Sequence, residues 1–270
     1  MGSIDTLAVT AANRLGWNKI AASRNAEPAA FFLAGNTTLD EVEIQFLPDV
    51  RSKSLLHLAC ANGNDSLSWA ARGASVTGID ISDVAIRIAR ATAEATGMDA
   101  RFLVADVYKL PADLGQFDIV YMSWGGICWM PDLQRWAETG RDLLRPGGTF
   151  ALFEHHPLWE ILSVHDGTLS VVGDYFSREA RDLEHTDVAK RPTGCGGDGD
   201  GDADLTSFVW PVSDVLTALT GAGLSIDRFT EGSLAAMYEG LGSQAAFLPA
   251  YYAVLASKPD NESAVPLAQW

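Results

Sequence analysis

From Ser54 onward the chain alternates between short apolar runs and longer stretches in which apolar residues return every third or fourth position. The first texture is that of buried strands, the second that of helices lying on a sheet. The pattern predicts strands over Ser54–Ala59, Ser75–Ile79, Arg101–Ala105, Phe117–Met122 and Thr149–Glu154. Between them it predicts helices over Ser66–Arg72, Asp83–Thr96 and Asp132–Leu144, with Val84, Ile88 and Ala91 on the inward face of the second. Gly73 and Gly97 serve as stops, Ser82 as an N-cap, and Pro146-Gly147-Gly148 as the turn after the third helix. Strands separated by helices of this length pair in parallel through right-handed crossovers.

The rhythm breaks after His156 and resumes with a helix over Ser213–Leu219 and strands over Leu224–Thr230 and Tyr251–Ser257. The expected architecture is therefore α/β: a doubly wound, mostly parallel seven-stranded sheet with an insertion after the fifth strand. Residues 1–49 read as an N-terminal helical cap and 50–156 as the main body of the sheet. Residues 157–210 read as an insertion covering a site, 211–258 as completion of the sheet, and 259–270 as a tail.

Composition narrows the partners. Lys and Arg number 19 against 35 Asp and Glu, a formal net charge of −16. Such a surface repels phosphate backbones and anionic lipid, so neither nucleic acid nor a membrane is expected as partner. The sequence holds no apolar run of about 18 residues and no secretory leader pattern. Three widely spaced cysteines without a CxxC pair suit a reducing, cytoplasmic setting. Asp198, Asp200, Asp202 and Asp204 alternate like a calcium loop, but Ala203 and Val209 stand where that loop needs Gly and Glu. No metal is expected there.

In a doubly wound sheet, ligands bind beyond the carboxyl ends of the strands. The loop after the first strand, from Ala59 and Cys60 to Gly63, is built of small residues apart from Asn62. It lets a ligand approach the backbone and the following helix N-terminus. Asp80, closing the second strand before Ile81, is placed to accept both hydroxyls of a ribose. Asp106 and the backbone N–H of Val107 form a pair suited to the amino group and ring nitrogen of an adenine. The fourth strand ends at Ser123-Trp124-Gly125-Gly126, where cofactor and second substrate would meet.

These segments, taken in order, resemble the class I S-adenosylmethionine-dependent methyltransferase family over about residues 50–156. LLHLACANG stands at the first strand and glycine loop, GID at the ribose acid, ADVYKLP at the adenine segment, FDIVYMSW at the fourth strand and LLRPGGTFAL at the fifth. WNKIAASRNAEPAAFFLAG with LLHLACANGNDSLSWAARGA is also similar to a bacterial branch of that family with a histidine in its first motif. The resemblance implies a Rossmann-like methyltransferase fold, S-adenosyl-L-methionine as cofactor and a small-molecule methyl acceptor. Two departures stand out: Ala59 and Ala61 replace loop glycines, and His57 replaces the usual acid. Alanine serves as glycine does only where φ is negative.

Methyl transfer asks the protein mainly to align an acceptor and exclude water, with a base needed when the acceptor arrives protonated. His155 and His156, directly after the fifth strand, are the candidate bases, and Glu154 a candidate to orient one of them. Trp17, Trp124, Trp129 and Trp210, with Trp159 and Phe176, are candidate pocket walls, since aromatic faces attract a methylsulfonium. Two other readings share these residues: a nicotinamide-dependent oxidoreductase using Asp80, and a protein that binds S-adenosylmethionine without transferring methyl.

Overall fold

The computed structural model describes residues 5–23, 26–47, 49–183 and 205–260. The acidic run over 194–204, where the calcium-like spacing lies, falls outside them. Three helices come first, α1 (Thr6–Ser23), α2 (Ala29–Leu33) and α3 (Glu41–Phe46). The alternating body follows: β1 (Ser54–Leu58), α4 (Asn64–Ala71), β2 (Ser75–Asp80), α5 (Asp83–Thr96), β3 (Ala100–Val104), β4 (Phe117–Ser123), α6 (Leu133–Leu143) and β5 (Leu144–His155). Beyond it stand α7 (Pro157–Ile161), a hairpin of β6 (Leu162–His165) and β7 (Thr168–Val171), and the paired strands β8 (Arg181–Leu183) and β9 (Leu205–Ser207). The chain then closes with α8 (Val212–Gly221), β10 (Ser225–Gly232) and β11 (Tyr251–Ser257).

The seven-stranded sheet has the order β3-β2-β1-β4-β5-β11-β10. β1 to β5 are mutually parallel and β11 runs antiparallel to both its neighbours. Strand order reverses between β1 and β4, which places the topological switch point beyond their carboxyl ends. The antiparallel β11 departs from the 3-2-1-4-5-6 parallel order of dinucleotide-binding sheets, which argues against the nicotinamide reading. One face of the sheet packs Leu56, Val120, Leu152 and Val254 against α6 and α8, with Trp136 and Leu219 fully buried. The other packs Leu55, Tyr121, Phe153 and Ala253 against Phe46 and Trp69.

Two local expectations need correction. The buried face of α5 is Ala85, Ile86, Ala89 and Ala93, while Ala91 is exposed and Val84 and Ile88 sit half-buried on its shoulder. The small alanines bring the helix close to Phe102, so they, and not the larger aliphatics, define the contact. Pro146-Gly147-Gly148 is not a turn ahead of β5 but part of it. Backbone bonds between Gly147 and Lys258, and between Lys258 and Gly148, both 2.9 Å, draw the segment into the sheet. Between β10 and β11 an unanticipated segment, with 3₁₀ turns at Ala235–Tyr238 and Gly242–Phe247, packs Met237 and Tyr238 against Trp159.

Candidate functional site

The carboxyl ends of β1 to β4 open into one cleft enclosing about 910 Å³ of space. It is bordered by Ala59, Ala61 and Asn62 after β1, by Asp80 and Ile81 at the end of β2, by Asp106 and Val107 after β3, and by Ser123 and Trp124 at the end of β4. Trp129 completes that side. Opposite, α1 lies across the opening with Thr10, Asn13 and Trp17. The rings of Trp17 and Trp129 meet edge-on, 5.2 Å between centres.

α1 is fastened at several points. The Thr10 hydroxyl donates to Asp106 Oδ2. Asn13 exchanges two bonds of 2.8 Å with the backbone of Thr206. Asn18 donates to Asp83 at 2.9 Å and accepts from the Ser82 hydroxyl at 2.7 Å. Thr10 and Asn13 were invisible in the sequence because nothing in an isolated helix reveals which distant loop it covers.

Asp80 anchors the floor. Its Oδ2 accepts the Ala61 N–H at 2.9 Å and its Oδ1 accepts the Ser82 N–H at 2.8 Å, so one carboxylate braces the loop after β1 and the corner entering α5. Asp106 is held likewise, its Oδ1 accepting the Tyr108 N–H at 2.8 Å. Both carboxylates border the cavity, the acceptors that a ribose diol and an adenine amino group require.

Cys60 and Gly63, expected to touch the cofactor, do not border the cavity. The Cys60 side chain turns under the loop toward Gly78 and Phe102, and burial pushes its thiol well above the ordinary range. Gly63 is the left-handed entry to α4, at φ +79°, and a Cβ there would stand 2.8 Å from the Phe102 ring. Its role is close packing, and Asn62 faces the ligand space in its place.

Ala59 and Ala61 both take positive φ, +54° and +48°. A left-handed alanine costs roughly 1–2 kcal/mol, which glycine avoids apart from its own entropy of ordering. Ala61→Gly is therefore expected to stabilise the protein by about 1 kcal/mol, raising Tm by roughly 2–4 °C in a chain of this size. A thermal melt with and without S-adenosylhomocysteine checks it; an unchanged or lowered Tm would show the strain to be absent.

His57 stands where the resemblance expects an acid, and it is fully enclosed. Its Nδ1 lies 2.8 Å from the Ser66 hydroxyl and its Nε2 3.3 Å from that of Ser123. Burial pushes its pKa down to about 3, so the ring is neutral. Ser123 in turn donates to Asp65 Oδ2 at 3.0 Å, and Thr38 donates to Asp65 Oδ1 at 2.6 Å. The negative charge missing at position 57 thus reappears on Asp65, linked to the cavity wall through Ser123.

The two candidate bases diverge, since His155 is the last residue of β5 and His156 has already left the strand to enter α7. His156 caps α7, its Nδ1 accepting from Leu158 N at 3.2 Å and its Nε2 lying 3.0 Å from Glu231. It borders neither cavity, and burial lowers its pKa. His155 packs between the rings of Trp124 and Trp159, at 5.5 and 5.2 Å, and borders a second, smaller cavity of about 300 Å³. That cavity shares Gly125 with the large one and has Trp210 in its wall. Trp159 serves the 3₁₀ segment, and Phe176, 70% exposed, lines neither space. Among the described residues no three His, Cys, Asp or Glu side chains gather as metal ligands, and no helix is long and apolar enough to cross a membrane.

Comparison with known proteins agrees with this geometry. Residues 55–148 match a family described as a methyltransferase domain. A demethylmenaquinone methyltransferase of Thermus thermophilus is 36% identical over 107 residues, 39% of this chain and 48% of its own. The chain thus spans about half the length of that relative. Among solved structures, an S-adenosylmethionine-dependent methyltransferase from Mesorhizobium loti superposes with a TM-score of 0.60 at 22% identity, over 79% of this chain and 94% of its own. The [4+2]-cyclase SpnF superposes at 0.58 with 17% identity, over 92% and 97%. At such identities these two speak for the fold alone. The methyltransferase domain matched over residues 55–148, the sheet order with its antiparallel β11, and the two carboxylates at the ends of β2 and β3 together support a class I S-adenosylmethionine-dependent methyltransferase.

Proposed function

We propose that this protein transfers the methyl group of S-adenosylmethionine to a small, partly apolar molecule in the cytoplasm. The observation that carries the reading is the pairing of two spaces across one wall: the cavity holding Asp80 and Asp106, and the smaller cavity that shares Gly125 with it. When bound, the cofactor supplies a methyl carbon activated by its sulfonium, open to in-line displacement. The chain's own part is positioning. Asp80 and Asp106 would hold the ribose and the adenine, with Asn62 and Ser123 at the other end of the same floor. Trp17, Trp124 and Trp129 exclude water and offer ring faces to a cation. α1, bonded to Asp106 and Ser82, closes over the bound molecule. The net charge of −16 favours a free small molecule over nucleic acid as acceptor.

The test is turnover. The protein with S-adenosylmethionine and a panel of phenols, quinols and amines is expected to release S-adenosylhomocysteine, read by mass spectrometry, with a methylated product 14 Da heavier in at least one case. The left-handed Ala59 and Ala61 and the neutral His57 favour a second reading, a protein that holds the cofactor without using it. Tight binding with no turnover across the panel would select that reading.

A further inference from the structure

The face that α1 turns inward carries polar residues where a packed helix face is ordinarily apolar. Thr10 and Asn13, three positions apart and so on one side of the helix, are 5% and 1% exposed, and both border the large cleft. Buried polar side chains need partners, and these two find different ones. Asn13 uses its amide on the backbone of Thr206, donating to the carbonyl and accepting the N–H, both at 2.8 Å. That pair of bonds anchors the helix. Thr10 reaches a carboxylate instead.

A threonine inside a helix ordinarily gives its hydroxyl proton to a carbonyl one turn back. For Thr10 that acceptor, Leu7 O, stands 3.3 Å away, while Asp106 Oδ2, 96 residues along the chain, is at 2.5 Å. The other oxygen of Asp106, Oδ1, accepts the Tyr108 N–H at 2.8 Å. One oxygen is thus tied by its own loop and the other by α1, which fixes the plane of the carboxylate at the edge of the cleft. A carboxylate offers about four acceptor positions, so two such bonds orient it without filling it. Released from one of them, it would turn about χ2, a broad torsion, and lose that aim.

We infer that Thr10 is a positioning residue for base recognition: by holding the Asp106 carboxylate, it makes the cleft select a 6-aminopurine nucleoside over the 6-oxo counterpart. In the methyltransferase reading, on which this rests, Asp106 and the Val107 N–H take the adenine. The 6-amino group donates to the fixed carboxylate, and ring N1 accepts from Val107. A 6-oxo purine reverses both contacts, turning oxygen lone pairs toward a negative charge and an N–H toward an N–H. How sharply the site tells the two apart depends on how firmly Asp106 is aimed. Part of the base site is therefore carried by a helix that precedes the alternating body of the fold.

S-adenosylhomocysteine and S-inosylhomocysteine are the probes, titrated calorimetrically against the full chain. The wild type is expected to prefer the amino form by about a hundredfold or more, as a site built around a specific hydrogen bond does. Thr10→Val keeps the shape and removes the hydroxyl. It should weaken S-adenosylhomocysteine about tenfold and leave S-inosylhomocysteine within about twofold. Thr10→Ala, which adds no methyl beside the carboxylate, should lower the ratio equally, and Thr10→Ser should restore it. Asn13→Ala, which loosens the anchor, should weaken both probes by one common factor. Thermal melts of the unliganded variants confirm folding. A wild-type ratio in Thr10→Val and Thr10→Ala would reduce the Thr10 bond to a helix tie, and tighter S-adenosylhomocysteine binding would show Thr10 competing with adenine; either overturns the assignment. Equal binding of the two probes by the wild type overturns it too, with the cofactor site left standing. If neither probe binds, the methyltransferase reading fails, and the role of Thr10 with it.

Discussion

Asp80→Ala is expected to weaken S-adenosylmethionine binding by about a hundredfold or more. The carboxylate does two things at once in the structure. It accepts the N–H groups of Ala61 and Ser82, which fixes the loop after β1 and the entry to α5, and it borders the cavity where a ribose would lie. Hydrogen bonds to a charged group are worth about 1.5–3 kcal/mol each, and a loss near 3 kcal/mol is on the order of a hundredfold in Kd. Ala61, already at φ +48°, also loses the bond that holds it there. Asp80→Asn keeps an acceptor oxygen and should lose only about tenfold. Asp106→Ala should fall between the two, because Thr10 and Tyr108 already use part of that carboxylate. Calorimetric titration with S-adenosylhomocysteine, beside a thermal melt to confirm folding, reads all three. Wild-type affinity in Asp80→Ala would mean that the large cavity is not the cofactor site.

The strands and Asp80 were legible in the sequence because period-two and period-3.6 patterns are local, and an acid at a strand's end takes its meaning from the strand. The antiparallel β11 and the 3₁₀ segment before it were not, since strand direction depends on where a connection returns. Cys60 and Gly63 were misplaced for a related reason. A small-residue loop shows that something approaches closely, and here that neighbour is Phe102 from inside the protein. Thr10 and Asn13 lie far along the chain from what they touch. His57 was conspicuous as a departure, but only the fold shows that Asp65, one turn into the site, carries the charge it lacks.

Stability should fall on both sides of a plateau between about pH 4.5 and 6.5, with Glu43 responsible for the alkaline side. Glu43 is wholly buried, its Oε2 accepting the Asp40 N–H at 2.8 Å and its Oε1 the Tyr121 hydroxyl. Burial, then the charge of Asp65, pushes its pKa up to about 8, from 4.5. Between those values the folded state holds a proton that the unfolded chain has released, so stability decreases as pH rises through the window. His57 acts in the opposite sense. Burial pushes it down to about 3, from 6.5, so the unfolded chain binds the extra proton and stability is lost as pH falls through that range. Where the windows overlap the slopes oppose, which gives the plateau. Above it only the Glu43 slope remains, a loss on the order of a few kcal/mol by pH 8. Glu43→Gln keeps an acceptor oxygen for the Asp40 N–H and turns an amide N–H toward the Tyr121 oxygen, which can accept it; it has no proton to lose, so its Tm should stay level from pH 6.5 to 8.5 while the wild type drops by several degrees. His57→Gln should likewise flatten the acid side. Thermal melts of the three proteins at constant ionic strength decide the matter, and a Glu43→Gln curve parallel to the wild type would show that Glu43 is ionised in the folded protein at neutral pH.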